Sequence, residues 1–418
     1  MLQSLKNRTL ALLRWSETYT KTDMLYAVHG GFWLVVAKMV ALGSSLLLAV
    51  AMANFILPQT FGVYKFVLSA TGILGAITLT GAGAAIVQSV ARGYEGAFRS
   101  GTIEYIKWSL GSVALAISMA IYYLVNENYT LAASFFIVAI CNPILVSSSF
   151  FTQFISAKKD FRTGSIFDSI ADIVPVSILI AATLLTQNPV FLIATYFLSG
   201  TGINLVLRHA TIRKYRPNDR VDPETIPYAR HLSLIGMIGK IAENVDKILV
   251  FHYLGAAQLA IYAFAQTPIA QLKLFNDIPA RLALPKLSAR NLSELKDSLP
   301  RKILLLVGVM TVVVIIYIAL APFLFRLLFP QYLESIVLTQ VLALSLIFAP
   351  GSMFGEALTA HMRKKELYIS QTILPIAKIG LFMLLLPAWG IWGAVCTTIV
   401  SQCLMFIIYS YLFLRTQR

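Results

Sequence analysis

The stretch IGKIAENVDKILVF, residues 238–251, places four ionisable side chains inside a long apolar segment. A polar stripe with the helical spacing i, i+3, i+4, i+7 runs along it and consists of Lys240, Glu243, Asn244 and Lys247. A charge at the centre of a bilayer costs roughly 2.5–3.5 kcal/mol on the translocon scale. We therefore expect the stripe to face a water-filled cavity or partner helices. Two interpretations stay open: a wall facing a substrate or ion, and a packing seam in which Glu243 neutralises a neighbouring lysine.

Two further lysines, Lys38 and Lys378, lie at a similar depth in other apolar segments, close to the predicted midplane. An ammonium group attracts an anion more strongly in a low-dielectric cleft than in water. Lys38, Lys240 and Lys378 are therefore candidates for binding an anionic substrate. The neighbouring Asn244 and Lys247 are included in the same candidate site.

Embedded carboxylates are candidates for coupling transport to an ion. Asp168 and Asp172 lie at i and i+4, and two close carboxylates favour retention of a proton on one of them. They could equally pair with basic residues just before this segment. Glu243 and Asp246 complete the candidate set for coupling to H⁺ or Na⁺. Neither a nucleotide-binding motif nor metal-ligand spacing stands out, so no cofactor and no metal are expected.

The composition is that of a membrane protein. Of 418 residues 58% are hydrophobic and 13% are charged, against about 25% charged in soluble domains, and the mean hydropathy is +0.75. Apolar runs long enough to cross a bilayer as helices recur along the chain. We predict twelve spans, near 30–53, 62–85, 104–124, 130–155, 163–186, 189–208, 231–254, 258–281, 302–325, 335–360, 367–387 and 389–413.

The net charge of +15 has a topological explanation. With the N-terminus inside, most lysines and arginines fall in inner segments, and Arg326 is the only one in an outer loop. This distribution predicts cytoplasmic termini and removes the need for a nucleic-acid partner.

The chain divides into two similar halves. The polar segment 209–230 separates a lobe over 1–208 from a lobe over 231–418, with six predicted spans in each. Similar sequences recur about 200 residues apart, at 57–69 and 254–266 and again at 154–161 and 358–367. We predict an all-α integral membrane protein with two pseudo-symmetric six-helix lobes around a central cleft.

Two segments carry a family resemblance: ANFILPQTFGVYKFVLSATGILGAITLTGAGAAIVQSVAR, residues 53–92, and NVDKILVFHYLGAAQLAIYAFAQ, residues 244–266. They resemble the polysaccharide-transporter family, which includes O-antigen and other lipid-linked oligosaccharide flippases of the multidrug/oligosaccharidyl-lipid/polysaccharide exporter superfamily. In the second segment Asp246 matches the family's acidic position. The resemblance spans nearly the whole chain.

The resemblance implies export of a polyprenyl-pyrophosphate-linked oligosaccharide across a bacterial inner membrane by alternating access. It implies contact with membrane lipids and leaves room for polysaccharide-assembly proteins as partners. Two alternatives remain. Drug exporters of the superfamily usually move cations, which central lysines disfavour. A membrane-embedded polymerase generally needs a sizeable extramembrane loop with catalytic groups, and none is visible here.

Overall fold

A computed structural model describes residues 24–288, 292–361 and 363–415, and within these ranges the chain is helical with no strand. The fourteen α-helices run in chain order as follows: α1 Met24–Phe55, α2 Pro58–Ala76, α3 Ala82–Ala91, α4 Ala97–Val125, α5 Tyr129–Ser148, α6 Phe151–Ala157, α7 Phe161–Leu185, α8 Pro189–Tyr215, α9 Thr225–Ser288, α10 Leu292–Leu328, α11 Ser335–Ala343, α12 Ser352–Ala360, α13 Lys364–Trp389 and α14 Ile391–Arg415. Short 3₁₀ helices occupy Pro330–Tyr332 and Leu344–Gly351.

The predicted fold class is confirmed, and the protein is a multi-pass membrane protein. In the described ranges ten helical stretches are long and apolar enough to cross a membrane. The prediction of twelve differs because α9 carries spans seven and eight as one stretch, and because span two is divided between α2 and α3.

Local sequence signals fix several helix starts. The side chains of Asn128, Asp160 and Asn188 accept hydrogen bonds from the first backbone N–H groups of α5, α7 and α8. Proline occupies the first turn of α2 and α8, where its missing N–H has no partner to lose. The helices therefore begin close to the predicted span boundaries.

Corresponding spans of the two halves share an interruption. Span four is divided at residues 149–150 between α5 and α6, and span ten changes to a 3₁₀ helix over Leu344–Gly351 between α11 and α12. Sequence periodicity predicted continuous helices at both places. Both irregularities fall in spans that occupy the same position, fourth, within the two predicted halves.

The lobes meet closely on the predicted outer side. Helix α9 is bent at Gly255, where φ is 84°, a value that favours glycine. Beside this bend Gly62 approaches so closely that an ideal Cβ on it would lie 1.9 Å from the carbonyl oxygen of Ala256. Rings stack across the same contact, with centroids 4.4 Å apart for Phe61 and Phe264.

On the predicted inner side, the first half of α9 packs against the N-terminal lobe. The hydroxyl of Ser89 lies 2.7 Å from that of Thr225, and Arg92 forms an ion pair with Asp222. The connection over 216–224 is shorter than the predicted linker, because α8 continues to Tyr215 and α9 begins at Thr225. The packing of α9 leaves a cleft between the N-terminal lobe and the later helices of the C-terminal lobe.

Candidate functional site

Three adjoining cavities follow the first half of α9 and together form what we call the cleft. An N-terminal cavity of about 470 Å³ lies among α2, α5 and α8, and a central cavity of about 520 Å³ lies among α2–α3, α9 and α13. A C-terminal cavity of about 230 Å³ lies among α9, α13 and α14. The cavities share lining residues, so the cleft extends from one lobe into the other around α9.

The opening pair of the polar stripe stands where these cavities meet. Lys240 lines the N-terminal and central cavities, and Glu243 lines the central and C-terminal cavities. The Lys240 Nζ donates to Glu243 at 2.8 Å, and their side chains are 51% and 62% exposed. An exposed pair of this kind contributes only about 0–1 kcal/mol. A stronger anion can therefore replace the Glu243 carboxylate at little cost.

The third charged residue that lines the cleft lies on α13. Lys378 lines the C-terminal cavity, and its ammonium group donates a hydrogen bond of 2.7 Å to the carbonyl oxygen of Ala242. The ammonium also lies 5.8 Å from the centroid of the Phe382 ring. Lys240 and Lys378 therefore reach adjoining cavities from two different helices.

Asp246 lies behind the cleft wall and does not line the three cavities. It is 3% exposed and pairs with Lys247, whose Nζ lies 3.2 Å from a carboxylate oxygen. Gln266 and Tyr262 donate to the same carboxylate at 3.1 and 3.4 Å, and Lys378 interacts with it electrostatically. Because these donors hold the Asp246 carboxylate in place, it stabilises the packing of the C-terminal lobe.

The other two stripe residues make packing contacts and do not line the cleft. An ideal Cβ on Gly72 of α2 would lie 2.7 Å from Asn244 Nδ2, so the amide side chain fills the space beside the glycine. Asn244 donates at 3.2 Å to the carbonyl oxygen of Lys240. Lys247 points to Asp246, as described above. The first turn of the stripe therefore lines the cleft, and its second turn makes packing contacts.

The remaining candidates form a separate group in the N-terminal lobe. Lys38 on α1 interacts electrostatically with Asp172 on α7, and Asp168 with Asp172 on the same helix. Both aspartates are partly buried, and Lys38 is exposed. None of the three lines the cavities of the cleft, so Lys38 does not join Lys240 and Lys378 there.

The sequence analysis missed several polar groups that line the cleft. The C-terminal cavity includes Thr398, Ser401 and Gln402 of α14, and the buried Ser401 hydroxyl has no hydrogen-bond partner among the described residues. These residues recur at i, i+3 and i+4 within one span. That spacing indicates a polar face on the helix. It is a weak signal, because uncharged polar side chains carry only a small free-energy penalty in a membrane helix.

The break between α2 and α3 also contributes to the cleft. The Gly81 backbone N–H donates to the Ser233 hydroxyl at 2.9 Å, and a Cβ on Gly81 would meet the Ala229 carbonyl oxygen at 2.4 Å. Thr80 lines two cavities beside it. Non-helical backbone at membrane depth is tolerated where it is buried in protein or lines a cavity.

The comparison with protein families gives a match that covers more than half of the chain. The sequence pattern of the family described as "Polysaccharide biosynthesis protein" matches residues 27–267. The chain belongs to that family. This confirms the family predicted from the two segments at 53–92 and 244–266. A comparison with curated proteins found no significant match.

Solved structures share the fold over almost the entire chain of this polysaccharide biosynthesis family member. An inward-facing multidrug resistance MATE family transporter of the MOP superfamily is 14% identical, with a TM-score of 0.63 over 92% of this chain and 97% of that one. The lipid II flippase MurJ in an inward closed conformation is 13% identical, with a TM-score of 0.68 over 93% and 87%.

A third solved structure shares the fold at a similar level of identity. It is a MOP superfamily transporter from Pyrococcus furiosus described as having a binding pocket of reverse polarity. It is 15% identical, with a TM-score of 0.53 over 94% of this chain and 91% of that one. At these identities the likeness establishes the fold of MOP superfamily transporters.

Proposed function

We propose that the protein is a flippase that moves a polyprenyl-pyrophosphate-linked oligosaccharide across the bacterial inner membrane by alternating access. The observation that carries this proposal is that Lys240 lines the central cavity between the lobes and Lys378 lines the adjoining cavity of the C-terminal lobe. A diphosphate brings more negative charge than a carboxylate and can displace Glu243 from Lys240. The lysines bind it as point charges in a site of low dielectric.

The polar groups around the lysines suit the sugar part of such a substrate. Amide and hydroxyl side chains line the central and C-terminal cavities: Gln371, Thr398, Ser401 and Gln402. These groups donate to and accept from sugar hydroxyls without adding charge. The cavity volumes of a few hundred Å³ fall within the usual range for small-molecule sites.

The lobe arrangement supports the transport cycle. The aromatic contact around Phe61 and Phe264 closes the predicted outer side, while the cleft lies between the lobes. When the lobes rock about α9, the outer contact opens and the cleft closes on the inner side. Coupling to H⁺ or Na⁺ through Asp168, Asp172, Glu243 or Asp246 stays a prediction. The proposed cytoplasmic termini follow from the charge distribution.

An exporter of cationic compounds is the second candidate, and the exposed Glu243 is the observation that favours it. Its carboxylate lines two cavities but is paired with Lys240. A membrane-embedded polymerase is a third alternative. We rank it last, because no sizeable extramembrane loop with catalytic groups is visible in the sequence.

Deleting the gene and locating the lipid-linked intermediates separates these functions. A flippase deletion leaves single repeat units on the inner leaflet, protected from reagents added outside. Units that accumulate on the outer leaflet without polymerising would identify a polymerase instead. Normal glycan assembly with lost resistance to cationic compounds would identify a drug exporter.

A further inference from the structure

A separate cavity of about 480 Å³ lies at the predicted inner surface of the N-terminal lobe. It is bordered by the start of α4, the end of α8 and the connection over 216–224. It shares no lining residue with the cleft, and the proposed function makes no use of it. We call it the inner-surface cavity.

Two arginines, Arg99 and Arg208, lie in the lining of this cavity together with the acids Glu95 and Asp219. The guanidinium of Arg208 lies 5.2 Å from the centroid of the Phe98 ring, and one of its N–H groups donates to the Ser147 carbonyl oxygen at 3.4 Å. Arg99 is exposed at the cavity. In the described ranges no carboxylate lies within ion-pair distance of either arginine. Guanidinium groups match phosphate oxygens with paired hydrogen bonds and keep their charge at any physiological pH.

The lining contains two acids, Glu95 and Asp219, and in the described ranges Glu95 is ion-paired while the exposed Asp219 is not. Glu95 accepts a hydrogen bond and an ion pair from Lys158 and a backbone hydrogen bond from Asn218 at 2.9 Å. Partial burial alone would raise the pKa of Glu95, but these hydrogen bonds lower it below its usual value. Glu95 therefore keeps its charge and pairs with Lys158. The charges that remain in the lining are those of the two arginines against the single carboxylate of Asp219, which leaves an excess of positive charge for a ligand.

Two further features point to an amphipathic anion. The buried hydroxyl oxygen of Ser100 in the lining has no hydrogen-bond partner among the described residues. Exposed aliphatic side chains form the rim: Ile103, Ile212 and Val221. Unpaired donors beside exposed aliphatic groups, at the level of the inner interface, match a phosphate headgroup with its acyl chains.

We propose that the inner-surface cavity binds the phosphate headgroup of an anionic phospholipid from the inner leaflet. Arg99 and Arg208 hold the phosphate, Ser100 donates to one of its oxygens, and the aliphatic rim contacts the acyl chains. The bound lipid bridges α4, α8 and the connection that leads into α9. Its headgroup thereby steadies the base of the helix that lines the cleft.

The test uses the purified full-length protein in neutral detergent, titrated with dioleoyl phosphatidylglycerol and followed by native mass spectrometry. The variants are Arg99→Gln, Arg208→Gln and both together. Arg213→Gln is the matched control, because Arg213 is exposed on the last turn of α8 and does not line the cavity. Dioleoyl phosphatidylcholine and free glycerol 1-phosphate serve as competing ligands.

We expect each cavity substitution to weaken phosphatidylglycerol binding about fivefold and the double substitution roughly 25-fold. Arg213→Gln should bind phosphatidylglycerol as tightly as the wild type does. Binding of phosphatidylcholine should not change with either cavity substitution. Equal binding of the two phospholipids, or an equal loss in Arg213→Gln, would overturn the proposal. Displacement by glycerol 1-phosphate at matching concentration would assign the cavity to free phosphate and also overturn it. Arg99 is exposed, so Arg99→Gln keeps the test valid if Arg208→Gln fails to fold.

Discussion

The ammonium group of Lys378 on α13 donates a hydrogen bond to the main-chain oxygen of Ala242 on α9, across 2.7 Å. This contact joins the helix that carries the polar stripe to the helix opposite it in the C-terminal lobe. Ala242 precedes Asp246 by one turn, and the Lys378 charge acts on that carboxylate. Lys378 therefore has a packing role in addition to its place in the cleft.

Replacing Lys378 with Met should lower the free energy of unfolding by about 1.5–3 kcal/mol, the usual value for a hydrogen bond to a charged group. Thermal unfolding in detergent measures the change. Lys365→Met is the control, because Lys365 is exposed near the start of the same helix. An equal effect of the two substitutions would contradict the contact with Ala242.

Asp246→Asn should be strongly destabilising, because it removes the buried carboxylate that pairs with the partly buried Lys247. Removing one member of a buried ion pair typically costs about 3–5 kcal/mol. The double variant Asp246→Asn with Lys247→Met should recover part of that loss. Thermal unfolding of the single and double variants measures the coupling. Additive losses would show that the 3.2 Å pair carries no interaction of its own.

Gly62→Leu should open the lobe contact on the predicted outer side. A side chain at this position collides with the main chain of Ala256, which cannot move aside without shifting α9. A cysteine at Leu68, which lines the N-terminal cavity, should then react with an impermeant thiol reagent added outside. Gly308→Leu is the control, because a Cβ there meets open space. Unchanged labelling in Gly62→Leu would refute the proposed closure.

Asp160 should make the stability of the inner surface depend on acid pH. Partial burial alone would raise its pKa, but hydrogen bonds from Tyr215, the Thr163 backbone and Lys214 lower it well below the usual value. A lowered folded-state pKa means that the stabilisation is complete above the unfolded pKa of about 3.9 and is lost as the pH falls further.

The Asp160→Asn variant should therefore be less stable than the wild type at pH 6, and this difference should shrink towards pH 3. Unfolding midpoints measured across that range provide the test. Asp219→Asn serves as the control, because Asp219 is exposed. A difference that stays constant with pH would show that ionised Asp160 is not the stabilising species.

The sequence predicted the limits of most spans because each must satisfy its backbone hydrogen bonds within an apolar segment. It did not predict the breaks at residues 77–81 and 149–150. Those depend on contacts from distant segments, such as the approach of Ala229 to Gly81. Periodicity within a single segment carries no information about such contacts.

The candidate site was predictable to a similar degree. The stripe on α9 identified the cleft wall because charged residues are costly in lipid, and Lys240 and Glu243 do line it. Depth alone grouped Lys38 with Lys240 and Lys378, but depth does not specify the side of the helix or the neighbouring lobe. Lys38 lies near Asp172 instead.

The most direct test measures translocation of a fluorescent polyprenyl-pyrophosphate-linked oligosaccharide in proteoliposomes. Wild-type protein should make substrate on the inner leaflet accessible to a reagent added outside, and Lys240→Ala should lose this activity while inserting normally. Lys107→Ala is the control, because Lys107 is exposed, pairs with Glu104 and lines no cavity of the cleft. Wild-type rates in Lys240→Ala, at matched reconstitution, would contradict the proposed binding of the diphosphate at the cleft.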